Sequence, residues 1–236
     1  MSKLRTSKIY QSIRVPTLIL LILWIVQVFQ MVTHLSLGWL GVYPRHEVGI
    51  KGIFLSPFIH SQDIMHLINN SVPLFVGLAM ILFFYRRVAG KAIILIYLLT
   101  GLGVWLFGRE VLHIGASGVI YGLISFIFWN GIFRRNIKSI VLALIILMLY
   151  SGMFLGVLPN QPGISWESHL IGAIVGILVS FTFRNELEAD ETIHTVSEEE
   201  MFLPEEGDYF LDRDTFERTK TERHRNQSDW FSDSTF

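Results

Sequence analysis

The chain has 236 residues, of which 51% are hydrophobic, and its mean hydropathy is +0.48. A soluble domain of this length rarely carries so many apolar residues, so the composition favours a membrane protein. The sequence holds no cysteine, which excludes disulfide bonds and thiolate chemistry. We expect no nucleic-acid partner for a chain whose net charge is −1.

Charged residues are distributed unevenly along the chain. Residues 1–183 hold 13 Lys/Arg and 4 Asp/Glu, whereas residues 184–236 hold 6 and 16. We therefore expect a cytoplasmic N-terminal segment over residues 1–15, a membrane domain over residues 16–183, and an acidic, disordered cytoplasmic tail over residues 184–236. Scattered aromatic residues in the tail are compatible with a docking motif for a cytoplasmic partner.

Six apolar runs of roughly membrane length follow one another in the membrane domain. They cover residues 16–34, 64–85, 91–107, 116–133, 138–155 and 167–183. Several are shorter than the roughly 20 residues that cross a bilayer untilted, but a short helix can lie inside a bundle. The expected fold is an all-α polytopic membrane protein with six transmembrane helices.

Lysine and arginine residues cluster in alternate loops of this arrangement. They precede the first run, separate the second from the third and the fourth from the fifth, and follow the sixth. The positive-inside rule therefore places both termini in the cytoplasm. The long first loop, residues 34–63, is weakly polar, and Trp39 and Tyr43 suit the membrane interface. The compact six-span form favours a bacterial plasma membrane.

Four polar residues are expected near the outer ends of three helices that run in the same direction. His66 and Asn70 are spaced i, i+4 on one face of the second helix. Ser117 begins the fourth helix, and His169 lies in the first turn of the sixth. Because polar groups within a membrane are costly, they usually face a partner or a water-filled cavity. The four residues therefore indicate a functional site.

Acyl transfer is the chemistry that fits this set. A serine hydroxyl becomes a nucleophile when an imidazole accepts its proton, so Ser117 and His169 are a candidate catalytic pair. Glu167 is two residues from the histidine and points elsewhere on a helix, which predicts a dyad. Tyr121, one turn below the serine, would place an aromatic ring beside the imidazole.

An oxyanion would need hydrogen-bond donors near the serine. Free backbone N–H groups at the start of the fourth helix, including that of Ser117, supply some. The side chains of His66 and Asn70 are expected to add others. Asn69 is less suited, because the i+4 position stacks better over His66.

Glycines in the fourth and sixth helices have the spacing of close helix packing. Gly118 and Gly122, and likewise Gly172 and Gly176, are four residues apart, and such faces let two backbones approach. Contact between these faces would bring the serine within reach of the histidine. Gly115 is assigned to the same packing.

Other interpretations of single residues remain open, since a serine or asparagine in a membrane helix is commonly a packing residue. GASGV is not the G-x-S-x-G elbow, because Val119 replaces the last glycine. No H-E-x-x-H motif is present, so neither a metal nor a cofactor is expected. Arg109 and Glu110 are expected to pair with each other. The remaining histidines near the site are expected in loops or at the interface: His34, His60 and His113.

Three ordered motifs resemble those of the rhomboid intramembrane serine proteases. They are HLINN at 66–70, GASGVIYG at 115–122 and SWESHLIGAIVG at 165–176. The similarity extends over about residues 16–183. It implies a six-helix bundle with a water-accessible active site below the outer membrane surface, with Ser117 as nucleophile and His169 as its base.

The resemblance also implies supporting roles and a substrate class. His66 and Asn70 would assist the oxyanion, and Tyr121 would pack on His169. The substrates would be single-pass membrane proteins, cleaved without a cofactor near the outer end of their helix, often beside small residues. The first loop lacks the Trp-Arg pair of many members, so its residues receive no role.

Two other functions are compatible with such a chain. A non-catalytic rhomboid-like protein would bind or chaperone client helices, but inactive relatives have lost the serine or the histidine, and both are present here. A small transporter is less favoured, because paired broken helices are not evident in the sequence.

Overall fold

The structure, a computed structural model, describes residues 2–62, 64–159, 165–188 and 219, with side chains from residue 8 onward. The described residues are helical apart from loops and one isolated β-bridge. The α-helices are, in chain order, α1 (Ser2–Thr33), α2 (Gly52–Leu55), α3 (Ile64–Phe84), α4 (Ala89–Phe107), α5 (Ser117–Arg134), α6 (Ile137–Tyr150) and α7 (Trp166–Thr182). Since α2 is a single turn, six long helices form the bundle.

Four of the described helical segments are long and apolar enough to cross a membrane. They are Lys8–Thr33, Ile64–Phe84, Ala89–Phe107 and Ile137–Val157, the last of which joins α6 to the 3-10 helix that follows it. α7 is apolar but has only 17 residues. The prediction of an all-helical, multi-pass membrane protein is therefore confirmed, with four spans supported by length and composition.

α5 occupies the centre of the bundle, where it packs against α3, α4, α6 and α7. Its polar residues are accommodated by other protein groups. The Asn130 side chain donates to the carbonyl of Phe126 at 2.7 Å and accepts from Arg134 Nε at 2.8 Å. The guanidinium of Arg134 also lies 4.9 Å from the centre of the Tyr85 ring. A helix surrounded by protein does not need a lipid-compatible surface, which explains why α5 is less apolar than its neighbours.

Leucine, isoleucine and phenylalanine side chains of α3 and α5 form much of the buried core. Their helical spacing places them on the facing sides of these helices. They include Leu67, Leu74, Leu78, Ile81, Leu123, Phe126 and Ile127. This packing holds the N-terminal ends of α3 and α5 at one end of the bundle, where the candidate site lies.

The first loop is folded into short helical turns. It contains the 3-10 helices Gly38–Leu40, Glu47–Gly49 and Ser56–Phe58 in addition to α2. Backbone hydrogen bonds join Val42 to His113 in both directions at 2.9 Å, which fastens this loop to the segment before α5.

Helix bounds and described regions differ from the sequence prediction at the two termini. α1 begins at Ser2 rather than at residue 16, and it includes Pro16. Apart from Thr219, the acidic tail from residue 189 onward lies outside the described residues, as do the predictions made for it.

Candidate active site

Ser117 and His169 lie in hydrogen-bond contact between α5 and α7. Ser117 is the first residue of α5, and His169 is in the first turn of α7. Ser117 Oγ lies 2.8 Å from His169 Nε2. The structure thus brings together two polar side chains that are far apart in the sequence.

The imidazole of His169 is held at its other nitrogen and on its face. Its Nδ1 lies 2.8 Å from the backbone carbonyl of Gly156. A carbonyl oxygen only accepts, so Nδ1 carries the proton and the neutral ring presents the Nε2 lone pair to the Ser117 hydroxyl. Tyr121 stacks on the ring, with centroids 4.1 Å apart and an interplanar angle of 10°. The Tyr121 hydroxyl in turn donates to the carbonyl of Met153 at 2.6 Å.

This arrangement orients the histidine without a carboxylate. In a serine–histidine–aspartate triad, the acid selects the tautomer and the direction of the imidazole. Here a backbone carbonyl selects the tautomer, and the tyrosine ring limits rotation of the imidazole plane.

Glycines on the facing sides of α5 and α7 allow the two backbones to touch. A side chain at Gly172 would overlap the carbonyl of Gly118, and one at Gly176 would overlap the carbonyl of Gly122. Because these pairs lie one turn apart, they keep the helices in contact along the turns next to the serine and the histidine.

His66 and Asn70 converge on Gly115, two residues before Ser117. A Cβ at Gly115 would lie 3.0 Å from His66 Nε2 and 3.9 Å from Asn70 Nδ2. Its φ of +100° also disfavours any residue with a side chain. The prediction that Gly115 packs between helices is therefore wrong, because it lies in the loop before α5 and makes room for the His66 ring.

Asn70 presents a buried donor to this space. Its side chain is only 6% exposed, and Nδ2 has no hydrogen-bond partner among the described residues. Buried donors are rarely left without an acceptor, so a ligand oxygen would satisfy this amide. Asn69 is exposed, although it lines the same cavity.

A cavity of about 750 Å³ opens over these residues. Ser117, His169, His66 and Asn70 contribute polar groups to its wall. The wall also has apolar side chains: Ile114, Ile120, Val111, Leu112 and Met153. The mixture suits a largely apolar ligand with a carbonyl group to be polarised.

Two ion pairs join the loops beside the cavity. Arg109 pairs with Glu167, and its Nη2 lies 3.1 Å from Glu167 Oε2. Glu110 instead pairs with Arg45 at 3.1 Å. The expected pairing of Arg109 with Glu110 is therefore wrong, because each side chain finds its partner in a distant segment that the fold brings close. Glu167 is directed to this arginine.

Several contacts at the site were not predicted. Gly156 contributes only a backbone oxygen, for which its sequence carries no signal. His60 and His113 do lie in loops, but they are buried, with 2% and 3% exposure. The His60 ring packs edge-on against His66, with centroids 5.1 Å apart, and burial lowers the pKa of His60 to about 4. The H-x-x-x-x-x-H spacing, which runs from the first loop into α3, was the available signal for this contact.

The described residues also lack the arrangement that a metal ion requires. Within residues 2–62, 64–159 and 165–188, no group of three His, Cys, Asp or Glu residues is arranged to hold a metal ion.

The helical bundle has several apolar spans, and a serine–histidine pair lies between two helix ends. These features define a polytopic membrane protein with a serine-centred site. Residues 49–186 match the Rhomboid domain. The chain belongs to the rhomboid family, whose members are generally intramembrane proteases.

The similar curated proteins are mycobacterial. Over 174 residues, the chain is 34% identical to uncharacterised proteins of Mycobacterium bovis and Mycobacterium tuberculosis, which covers 68% of this chain and 70% of theirs. It is 29% identical over the same length to an uncharacterised protein of Mycobacterium leprae, of which 66% is covered. No solved structure matches the chain.

Proposed function

We propose that this chain is a serine endopeptidase that hydrolyses a peptide bond in or near the transmembrane segment of a membrane-protein substrate. The observation that carries the proposal is the 2.8 Å contact between Ser117 Oγ and His169 Nε2, with the opposite ring nitrogen bound to the Gly156 carbonyl. This is the arrangement of a nucleophile with an oriented general base. Membership of the rhomboid family supports the same activity.

In this mechanism, the proton of the Ser117 hydroxyl moves to His169 and then to the leaving amine. Ser117 Oγ attacks the carbonyl carbon of the scissile bond while His169 Nε2 accepts the hydroxyl proton. When the tetrahedral intermediate collapses, the C–N bond breaks and His169 returns the proton to the leaving amine. Water then hydrolyses the acyl-enzyme ester with His169 as base, which restores the serine hydroxyl. Throughout, the Gly156 carbonyl accepts from Nδ1 and favours the transient imidazolium.

The oxyanion is stabilised by donors that converge next to the nucleophile. The N–H of Ser117 is one of the first in α5, so it has no acceptor within the helix. Asn70 Nδ2 is buried without a partner among the described residues, and His66 Nε2 lies beside Gly115. One such donor typically contributes about 10²–10³ to kcat.

The substrate is a single-pass membrane protein whose helix unwinds into the cavity. A peptide must be extended to present a backbone carbonyl to Ser117, and small side chains near the bond ease this approach. All six long helices cross the bilayer in alternate directions, with both termini in the cytoplasm. The acidic tail beyond residue 188 then lies in the cytoplasm, where it is available to a partner.

Activity-based labelling tests the assignment most directly. A fluorophosphonate probe should label the detergent-purified protein, and Ser117→Ala should abolish both labelling and cleavage of a transmembrane reporter substrate. His169→Ala should lower both rates by several orders of magnitude while thermal unfolding shows a folded protein. Capture of the reporter without cleavage or labelling would instead support a non-catalytic protein that binds client helices. Undiminished cleavage by either variant would overturn the dyad.

A further inference from the structure

His113 is a buried histidine beside the site, and the proposed mechanism assigns it no role. It lies in the loop between α4 and α5, four residues before Ser117, and is 3% exposed. Its backbone N–H and carbonyl are both bonded to Val42 at 2.9 Å. Two hydrogen bonds to one residue of the first loop therefore hold the backbone from which the ring extends.

The two ring nitrogens of His113 have different partners. Nε2 lies 2.9 Å from the backbone carbonyl of Arg109, and Nδ1 lies 2.6 Å from Ser165 Oγ. Since a carbonyl oxygen only accepts, Nε2 carries the proton of the neutral ring. Nδ1 is then an acceptor, and the Ser165 hydroxyl must donate to it. Burial lowers the pKa of His113, which favours this neutral form.

Ser165 is the N-cap residue of α7. Its Oγ accepts from the backbone N–H of Ser168 at 3.3 Å, and its carbonyl accepts from the N–H of His169 at 3.3 Å. The Ser168 hydroxyl lies 2.6 Å from Ser165 Oγ. Because the Ser165 proton is donated to His113, the Ser168 hydroxyl is the donor in that contact. The bonds thus run in one direction, from Ser168 through Ser165 to His113.

This chain of hydrogen bonds connects the loop that leads to the nucleophile with the cap that leads to the base. The Gly118–Gly172 contact sets how closely α5 and α7 approach, but it does not by itself set the rotation of the first turn of α7. Ser165 bonds to the backbones of both Ser168 and His169, so its position determines that rotation. The nearby Arg109–Glu167 ion pair joins the same two segments, with an exposed arginine side chain (58%) and a buried glutamate side chain (6%), so it acts on the first turn of α7 alongside the hydrogen bonds.

We propose that His113 is a positioning residue for the proposed reaction. By accepting from Ser165, it holds the first turn of α7 in the orientation that aligns His169 Nε2 with Ser117 Oγ. The inference rests on the proposed protease function. His113 and Ser165 line the same cavity as Ser117, but the hydrogen bonds of His113 go to Ser165 and Arg109 rather than to the reacting atoms.

Two substitutions of His113 separate its two hydrogen bonds. The amide of asparagine reaches the position of Nδ1, so His113→Asn retains an acceptor for Ser165. The longer glutamine places its amide near the position of Nε2, so His113→Gln retains the bond to the Arg109 carbonyl and loses Ser165. We expect His113→Gln to lower kcat and the rate of Ser117 labelling by about tenfold, with KM within about twofold of wild type. His113→Asn should stay within about threefold of wild type in both rates.

Two substitutions of Ser165 provide an independent test if either His113 variant fails to fold. Ser165→Ala removes the donor to His113 and the cap, and it should lower the labelling rate by about tenfold. Ser165→Thr keeps a hydroxyl for both contacts and should restore the rate. Rescue by threonine would show that the hydroxyl itself is needed, because a general change in stability would not restore the labelling rate.

The labelling rate decides between positioning and simple stabilisation. Variants that unfold at lower temperature but label Ser117 at the wild-type rate would overturn the inference, as would equal rates for His113→Gln and His113→Asn. Failure of the proposed function has a different signature, because the folded wild-type protein would then neither label nor cleave.

Discussion

Replacing Gly172 with alanine tests whether the close contact of α5 and α7 holds the serine–histidine pair together. The added methyl group would lie 2.9 Å from the carbonyl carbon of Gly118 and 3.3 Å from the backbone nitrogen of Gly122, and closer still to the Gly118 oxygen. Backbone atoms of a packed helix cannot rotate away as the end of a side chain can. The two helices must therefore separate.

The expected size of the effect follows from this overlap. Non-bonded carbon atoms rest about 3.5–4.0 Å apart, so α7 must move from α5 by about 1 Å. His169 lies on the preceding turn of α7, and the same movement lengthens its 2.8 Å contact with Ser117 beyond a normal hydrogen bond. A misplacement of this size lowers the rate by about 10²-fold. Overpacking should also lower the free energy of unfolding by about 1–3 kcal/mol.

Cleavage of a transmembrane reporter and labelling of Ser117 measure the effect, and thermal unfolding in detergent measures stability. Gly90→Ala is the matched control, because no heavy atom lies within 4 Å of a Cβ at that exposed position in α4. It should leave cleavage unchanged and stabilise the helix by up to about 1 kcal/mol. Wild-type cleavage by a folded Gly172→Ala protein would refute the reasoning.

Two further predictions concern the donor side of the site and its dependence on pH. Asn70→Ala should lower kcat by about 10²–10³ with little change in KM, whereas Asn185→Ala, at an exposed asparagine that does not line the cavity, should stay within about twofold. Equal effects would exclude Asn70 as an oxyanion donor. Burial lowers the pKa of His60 to about 4, so the unfolded chain binds the proton of this imidazole more readily than the folded chain. The free energy of unfolding should therefore fall as pH decreases from about 6.5 towards 4. The complete loss should be about 3 kcal/mol. His60→Phe should reduce that loss, measured as unfolding temperature against pH; an unchanged pH dependence would contradict the assigned cause.

The helical architecture was largely predictable because a membrane constrains sequence strongly. Apolar runs at 64–85 and 91–107 correspond closely to α3 (Ile64–Phe84) and α4 (Ala89–Phe107). Helices in lipid must satisfy their own backbone groups, so their positions follow from composition alone. α5 is not among the four segments that length and composition support as spans, because a central helix is surrounded by protein and tolerates residues such as Asn130.

Pairings between side chains were less predictable than helix positions. Arg109 and Glu110 are adjacent and of opposite charge, yet each binds a residue from another segment, Glu167 and Arg45 respectively. Which charges meet depends on how the loops beside the cavity fold over the helix ends. Gly115 shows a similar limit, since it is grouped by sequence with the packing glycines while its positive φ belongs to a loop.

The sequence by itself determined the apolar helices, the polar residues at their ends and the glycine spacing that lets α5 and α7 touch. These features follow from local rules of periodicity, charge and residue size. Only the tertiary structure decided that the Gly156 carbonyl orients His169, and that His113 binds the cap of α7. A backbone acceptor carries no side-chain signal, and the hydrogen bonds of a buried histidine depend on segments that meet only when the chain is folded.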